Sequence, residues 1–131
     1  MKIFNFHQDR LTPKNDEIFV FGSNLAGRHG AGAARIAYEE YGAVYGQGIG
    51  PHGQSYAIPT KDKTIQTLPL RIVESYILSF CDFTHMNYHL NFFVTRVGCG
   101  LAGFRDEQIA PLFKSANDNC SFPDEWAEYL S

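Results

Sequence analysis

With 131 residues, 44% of them hydrophobic and 15% aromatic, the chain can bury one sizeable core but not two, so a single domain over 1–131 is expected. A net charge of -3, from 11 Lys+Arg against 14 Asp+Glu, comes without any basic cluster. That excludes the electrostatic footprint of a general nucleic-acid binder, and an anionic ligand would have to be held by local geometry.

"EIFVF" (17–21) is a short apolar run between a charged cluster and Gly22, the pattern of a buried strand. "GAARIAYEEYG" then predicts a helix, with Ala33, Ala37 and Tyr41 on one face beside Ala34 and Tyr38, and Gly42 at the C-terminal cap position. Its small alanines imply close packing on a sheet. "AVYGQGIGPHGQ" has no usable period and reads as an exposed, mobile loop; "SYAIPT" reads as a short strand halted by Pro59. "LPLRIVESYILSFCDF" sets Ile72, Val73, Tyr76, Ile77 and Phe80 on one stripe behind Pro69, an amphipathic core helix. "LNFFVTRV" is the next strand. "RDEQIAPLFKSAN" is a last main helix with Asp106 and Glu107 near its start, Asp106 as a cap, and an opening turn of 3₁₀ character at Pro111. The tail "CSFPDEWAEYL" reads as an extended stub and a short helix pinning Trp126. Strands alternating with helices give an α/β sandwich.

All twelve glycines fall within 22–32, 42–53 and 98–103. The first and last groups follow strand ends, where ligands collect in α/β sheets. Gly98, Gly100 and Gly103 match G-x-G-x-x-G, but too little chain follows for a dinucleotide-binding sheet, and Glu125, at the spacing of a ribose-binding acid, lies in a turn entering a helix. The first loop, "FGSNLAGRHGAGAA", leads into a helix whose open N–H groups suit a phosphate, and it lacks the P-loop pattern.

"HGAGAARIAYEEYG", "SYAIPTKD" and "VTRVGCGLAGF" together resemble macro domains. They are nearest the branch of terminal ADP-ribose protein glycohydrolases and DNA ADP-ribosylglycohydrolases, and "FGSNLAGRHGAGAA" resembles small macro-like proteins of phages and bacteria. The similarity covers about residues 17–116, with "RVGCGL" its most specific piece. It implies a three-layer αβα sandwich with a mixed central sheet and ADP-ribose in a crevice between the two loops. By that likeness Gly30, Ala31 and Gly32 cradle the diphosphate from one side. Gly98, Cys99, Gly100, Leu101, Ala102, Gly103 and Phe104 cover it from the other, and Gly22, Ser23, Asn24 and Arg28 complete the ligand set. Asn24 is similar in place to the asparagine that many macro domains direct at the distal ribose. Where the branch carries its catalytic lysine and aspartate, an ungapped alignment puts Glu40 and Ala102, so that chemistry does not carry over.

Asn24 and His29 are then the candidate catalytic groups, His29 as a proton shuttle in the phosphate loop with Arg28 beside it. His52 on the long loop is a candidate lid residue, and one ring near that loop a candidate stack for adenine. Cys99 reads as a small residue of a tight turn rather than a nucleophile. His85 and His89 are four apart but lack the glutamate of H-E-x-x-H, so no metal is assigned, and no cofactor is called for. Three cysteines without a C-x-x-C pair, and an opening "MKIFNFHQDR" without a long apolar segment, predict a reducing cytoplasm. No apolar run approaches the ~20 residues that span a bilayer, so no membrane partner is expected. The classes left open are an ADP-ribose-derivative hydrolase, of the ADP-ribosyl hydrolase or ADP-ribose 1''-phosphate phosphatase type, a binding or sequestering module for such nucleotides, and a fold used for protein interaction alone. Partners would be ADP-ribose or a related nucleotide, free or carried by an ADP-ribosylated protein or nucleic acid.

Overall fold

The computed structural model describes residues 3–8 and 11–131; Met1, Lys2, Asp9 and Arg10, part of the opening segment read above, lie outside the described residues. Among the described residues the strands are β1 (Asn5–His7), β2 (Glu17–Asn24), β3 (Gly50–His52), β4 (Ser55–Lys61), β5 (Asn91–Val94) and β6 (Cys120–Pro123). The helices are α1 (Gly32–Glu40), α2 (Leu70–Met86), α3 (Asp106–Ile109) and α4 (Ala127–Leu130), with 3₁₀ turns at Ala110–Phe113 and Asp124–Trp126. The strands make one mixed sheet in the order β1-β6-β5-β2-β4-β3, parallel throughout except for the antiparallel β3–β4 pair.

Alternation along the central strands sorts side chains between two faces. Phe19, Phe21, Ala57 and Phe93 meet Ala34 and Ala37 of α1, whereas Val20, Tyr56, Ile58, Phe92 and Val94 enter the larger core. There they meet Val73, Ile77 and Phe80 of α2 together with Ile109, Phe113 and Trp126. The result is an α/β fold of three layers. Alanines on α1 let its backbone lie close to β2, and the chain leaves the helix through Gly42 at φ 78°, with Ala43 N–H donating to Ala37 C=O at 3.1 Å. Helix α2 starts after Pro69 and buries Val73, Ile77 and Phe80 of the expected stripe together with Cys81 and Thr84, while Ile72 and Tyr76 lie at its half-buried margin. Each fully buried phenylalanine of this core contributes about 2–3 kcal/mol of apolar transfer free energy.

Several expectations are corrected. The 42–53 segment is not simply a loose loop: it ends in β3, and Gly48 is buried so close to the Asn24 carbonyl that a Cβ there would overlap it. Strand β4 does not halt at Pro59 but runs on to Lys61. Strand β3 pairs only with Ser55–Ala57, so the missing N–H of Pro59 falls past the end of that ladder. The tail "CSFP" is no stub; it is β6, seated between β1 and β5. The 3₁₀ turn bearing Pro111 follows the α-turn of α3 instead of opening it. His85, one of the two histidines set aside as metal ligands, lies on α2, where its Nε2–H donates to Ser115 C=O at 2.8 Å.

Candidate functional site

The loops that leave β2 and β5 face each other across a crevice of about 870 Å³. Their approach is close: a methyl group added at Gly22 would stand 3.4 Å from the Gly98 amide nitrogen. On the first side the crevice is lined by Gly22, Ser23, Asn24, Arg28, Gly30, Ala31 and Gly32, and on the second by Gly98, Cys99, Gly100, Leu101 and Ala102. Between them these loops present bare main chain. The N-cap of α1, Ala31, offers no side chain to the first turn, which contains no acidic residue either, so the orphan N–H groups of the helix start stay open. Among the described residues the amides of Gly30, Ala31 and Gly32, and of Gly100, Leu101 and Ala102, have no backbone acceptor.

The second loop is held from beneath. Gly98, at φ 77°, turns the chain so that its carbonyl accepts the Phe104 N–H at 2.9 Å, and Gly103 N–H donates to Gly100 C=O at 3.0 Å. The two ends of the loop are joined by an ion pair: Arg96 Nη2–H and Nε–H donate to Asp106 Oδ2 at 2.7 Å and Oδ1 at 3.1 Å. The fully buried Trp126 donates its indole N–H to Asp106 Oδ1 at 2.8 Å, and Glu125 lies 3.9 Å from Arg96. Burial alone would raise the Asp106 carboxyl; hydrogen bonds from Arg96, Trp126 and Cys99 and the guanidinium charge outweigh it and hold the group below the usual carboxylate range. The Asp106 hydrogen bond likewise keeps Arg96 above its ordinary value. Asp106 is therefore the brace of the loop, not the cap of α3, a place taken by Arg105.

The two proposed catalytic groups are placed differently from expectation. Asn24 is only 8% exposed, and both ends of its amide are engaged by one residue. Its Oδ1 accepts the Arg28 N–H at 3.0 Å and its Nδ2–H donates to the Arg28 C=O at 2.8 Å. His29 does not line the crevice: 2% exposed, it turns under the long loop, where Nε2–H faces the carbonyls of Val44 at 3.0 Å and Gln47 at 3.2 Å while the ring meets Phe21 edge-on. A proton shuttle needs reach to the substrate, and His29 has none. Gly103 and Phe104 also fall outside the crevice lining; Phe104 packs on the larger core. His52 sits in β3 with its Nε2–H directed to Ile49 C=O, so it is no lid, and Tyr45 of the long segment meets Tyr38 and His29 instead of the crevice.

Several lining residues were not anticipated. Leu11, Thr12 and Pro13 are among them, as are Phe19, Phe93 and Tyr41, whose rings lie together, Tyr41 stacked on Phe19 at 4.7 Å. The alternation of "EIFVF" and "NFFV" puts Phe19 and Phe93 on one face, a signal that could have been followed. Glu40 and Ala102, the substitutes for the branch's catalytic pair, both line the crevice, as does Lys61 at the end of β4. Among the described residues no group of three or more His, Cys, Asp or Glu side chains is arranged to hold a metal ion. No helix among them is long and apolar enough to cross a membrane.

No family model matches the chain, and no curated protein matches it in sequence. Solved structures do match in shape. The macrodomain of Mycobacterium tuberculosis DarG aligns with a TM-score of 0.65 and 15% identity over 94% of this chain and 98% of that one. The alphavirus P23pro-zbd aligns with a TM-score of 0.67 and 15% identity over 99% of this chain, which spans 23% of that longer one. Identity this low speaks for architecture alone, and the architecture of this chain is macrodomain-like.

Proposed function

We propose that the crevice binds ADP-ribose or a derivative of it, with the diphosphate between the two glycine-rich loops. The carrying observation is the pair of facing main-chain segments whose amides lack protein acceptors. Amides at a helix start and in a tight glycine turn hold a diphosphate without a surplus of lysines, as an acidic chain requires. The aromatic group of Phe19, Tyr41 and Phe93 on the crevice lining suits a nucleobase, and the macrodomain-like fold agrees with this class of ligand. Binding without turnover is favoured over hydrolysis, because His29 faces away from the crevice and the Asn24 amide is spent on Arg28. ADP-ribosylated protein and ADP-ribosylated nucleic acid are the carriers to test, since either would present the same nucleotide.

Titration calorimetry with ADP-ribose tests the reading. A saturable heat with one site per chain is expected; no heat and no thermal shift at about 1 mM ligand, a binding free energy weaker than about 4 kcal/mol, would refute it. Product analysis with ADP-ribosylated protein, ADP-ribosylated DNA and ADP-ribose 1''-phosphate is expected to show no turnover above the rate without protein.

A further inference from the structure

Among the described residues one non-glycine residue has a positive φ: Ile65, at 66°. A β-branched side chain suits that left-handed region poorly, because its two γ carbons crowd the adjacent main chain, and it persists there only where the surroundings over-determine it. Residues 60–68 supply that constraint. After β4 the chain folds back on itself: Lys61 and Thr67 form an antiparallel bridge, and Leu68 N–H donates to Thr60 C=O at 2.9 Å. Asp62 ties the turn between them. Its Oδ1 accepts the Thr64 N–H at 2.8 Å, the Thr64 hydroxyl at 2.7 Å and the Gln66 N–H at 3.0 Å. Its main-chain N–H donates to Gln66 C=O at 2.8 Å, and its own C=O accepts the Ile65 N–H at 3.1 Å. Glycine or asparagine would meet this geometry at less cost than isoleucine.

Burial in the interior does not offset that cost. Ile65 joins neither apolar cluster, whereas Leu68, three residues on, packs against the larger one. Ile65 lines the crevice instead. The turn that carries it is fastened to the second loop, where the Thr67 hydroxyl donates to Ala102 C=O at 2.9 Å. At 37% exposed, the residue still has surface to lose to a ligand. Its aliphatic side chain offers no donor or acceptor, so a phosphate laid on it would lose water and gain no partner. The carbon face of a sugar or base laid there loses water on both sides, which favours contact.

We infer that Ile65 is a ligand-contacting residue of the crevice, held by its strained turn against an uncharged ring face of the nucleotide, base or ribose. The inference rests on the nucleotide reading above and adds a residue outside the set that the two glycine-rich loops supply. Because this side chain serves the ligand and not the interior, removing it acts in opposite directions on the two: the turn relaxes, and the ligand loses a contact.

The test is thermal melting of wild type, Ile65→Asn and Ile65→Leu, with calorimetry on each using ADP-ribose and ADP. Asparagine adopts the left-handed backbone readily, so Ile65→Asn is expected to keep the wild-type Tm or raise it by about 2–6 °C. Its affinity for ADP-ribose is expected to fall about fivefold or more, the loss that follows removal of an apolar contact. Ile65→Leu, which conserves apolar volume, keeps affinity within about threefold of wild type. A loss shared by ADP puts the ring face on the adenosine half of the ligand, and a loss confined to ADP-ribose puts it on the second ribose. Affinity of Ile65→Asn within about twofold of wild type overturns this inference and leaves the nucleotide reading standing. A Tm lowered by more than about 3 °C does the same, since it would make Ile65 a packing residue of the fold. Failure of the folded wild-type chain to bind ADP-ribose overturns both.

Discussion

Removing the Asp106 carboxylate is the perturbation that reports most directly on how the second loop is held. In Asp106→Ala the Trp126 indole N–H, buried within the core, loses its acceptor, which costs about 1–3 kcal/mol. The ion pair to Arg96 adds less, about 0.5–1 kcal/mol, because the Arg96 and Asp106 side chains remain 34% and 23% exposed and Arg96 keeps water and Glu125 as partners. The sum is about 1.5–4 kcal/mol, or roughly 5–15 °C in Tm for a domain of this size. Asp106→Asn keeps an oxygen for Trp126 and gives up only the charge, so it should lose about 1 kcal/mol. Urea unfolding followed by circular dichroism separates the two. The pH dependence has a definite sign: the Asp106 carboxyl is held below its ordinary 3.8, so its contribution is complete above that value and is lost as pH falls through it toward the lower folded value. Wild-type stability should therefore fall more steeply than that of Asp106→Asn across this acid range. Equal stability of wild type, Asp106→Asn and Asp106→Ala within about 0.5 kcal/mol would refute the assignment of Asp106 as the brace.

Three further outcomes are expected. Gly30→Val and Gly100→Val place side chains where a Cβ meets nothing within 4 Å, on the walls of the crevice; melting should shift little while ADP-ribose affinity falls at least tenfold, and unchanged affinity would place the ligand elsewhere. Gly48→Ala drives a methyl into the Asn24 carbonyl and should cost about 2–4 kcal/mol in urea titration, together with loss of binding through displacement of the first loop. Tyr56, whose hydroxyl is pushed up to about 12 by burial and then by Cys81, should ionise last in an alkaline ultraviolet titration. Stability due to that tyrosine is complete below pH 10.0 and declines as pH rises from there toward 12.

What could be read from the sequence is what repeats. The stripe from Val73 to Phe80 recurs at helical spacing, and the alternation around Val20 and Phe92 marks two-faced strands, so α2, β2 and β5 were legible along with the two loops that follow the strands. Strand β3 was not, because Gly-Pro-His carries no period and is defined by backbone pairing to Ser55–Ala57. Pro59 misled for a related reason: whether a proline ends a strand depends on which neighbour its nitrogen faces, a property of the assembled sheet. Within the site, glycines foretold bare main chain, but side-chain direction was hidden. His29 and Arg28 are adjacent in sequence, yet one enters the space beneath Val44 and the other lines the crevice.

The insertion of β6 between β1 and β5 has a consequence in time. During synthesis the Gly98–Ala102 turn leaves the ribosome some twenty residues ahead of the strand and the tryptophan that secure it, and until Cys120–Trp126 arrive, β1 has no neighbour to pair with. The pocket wall is made before the elements that lock it, so a nascent chain stopped short of Trp126 would own every lining residue and still have no finished receptacle.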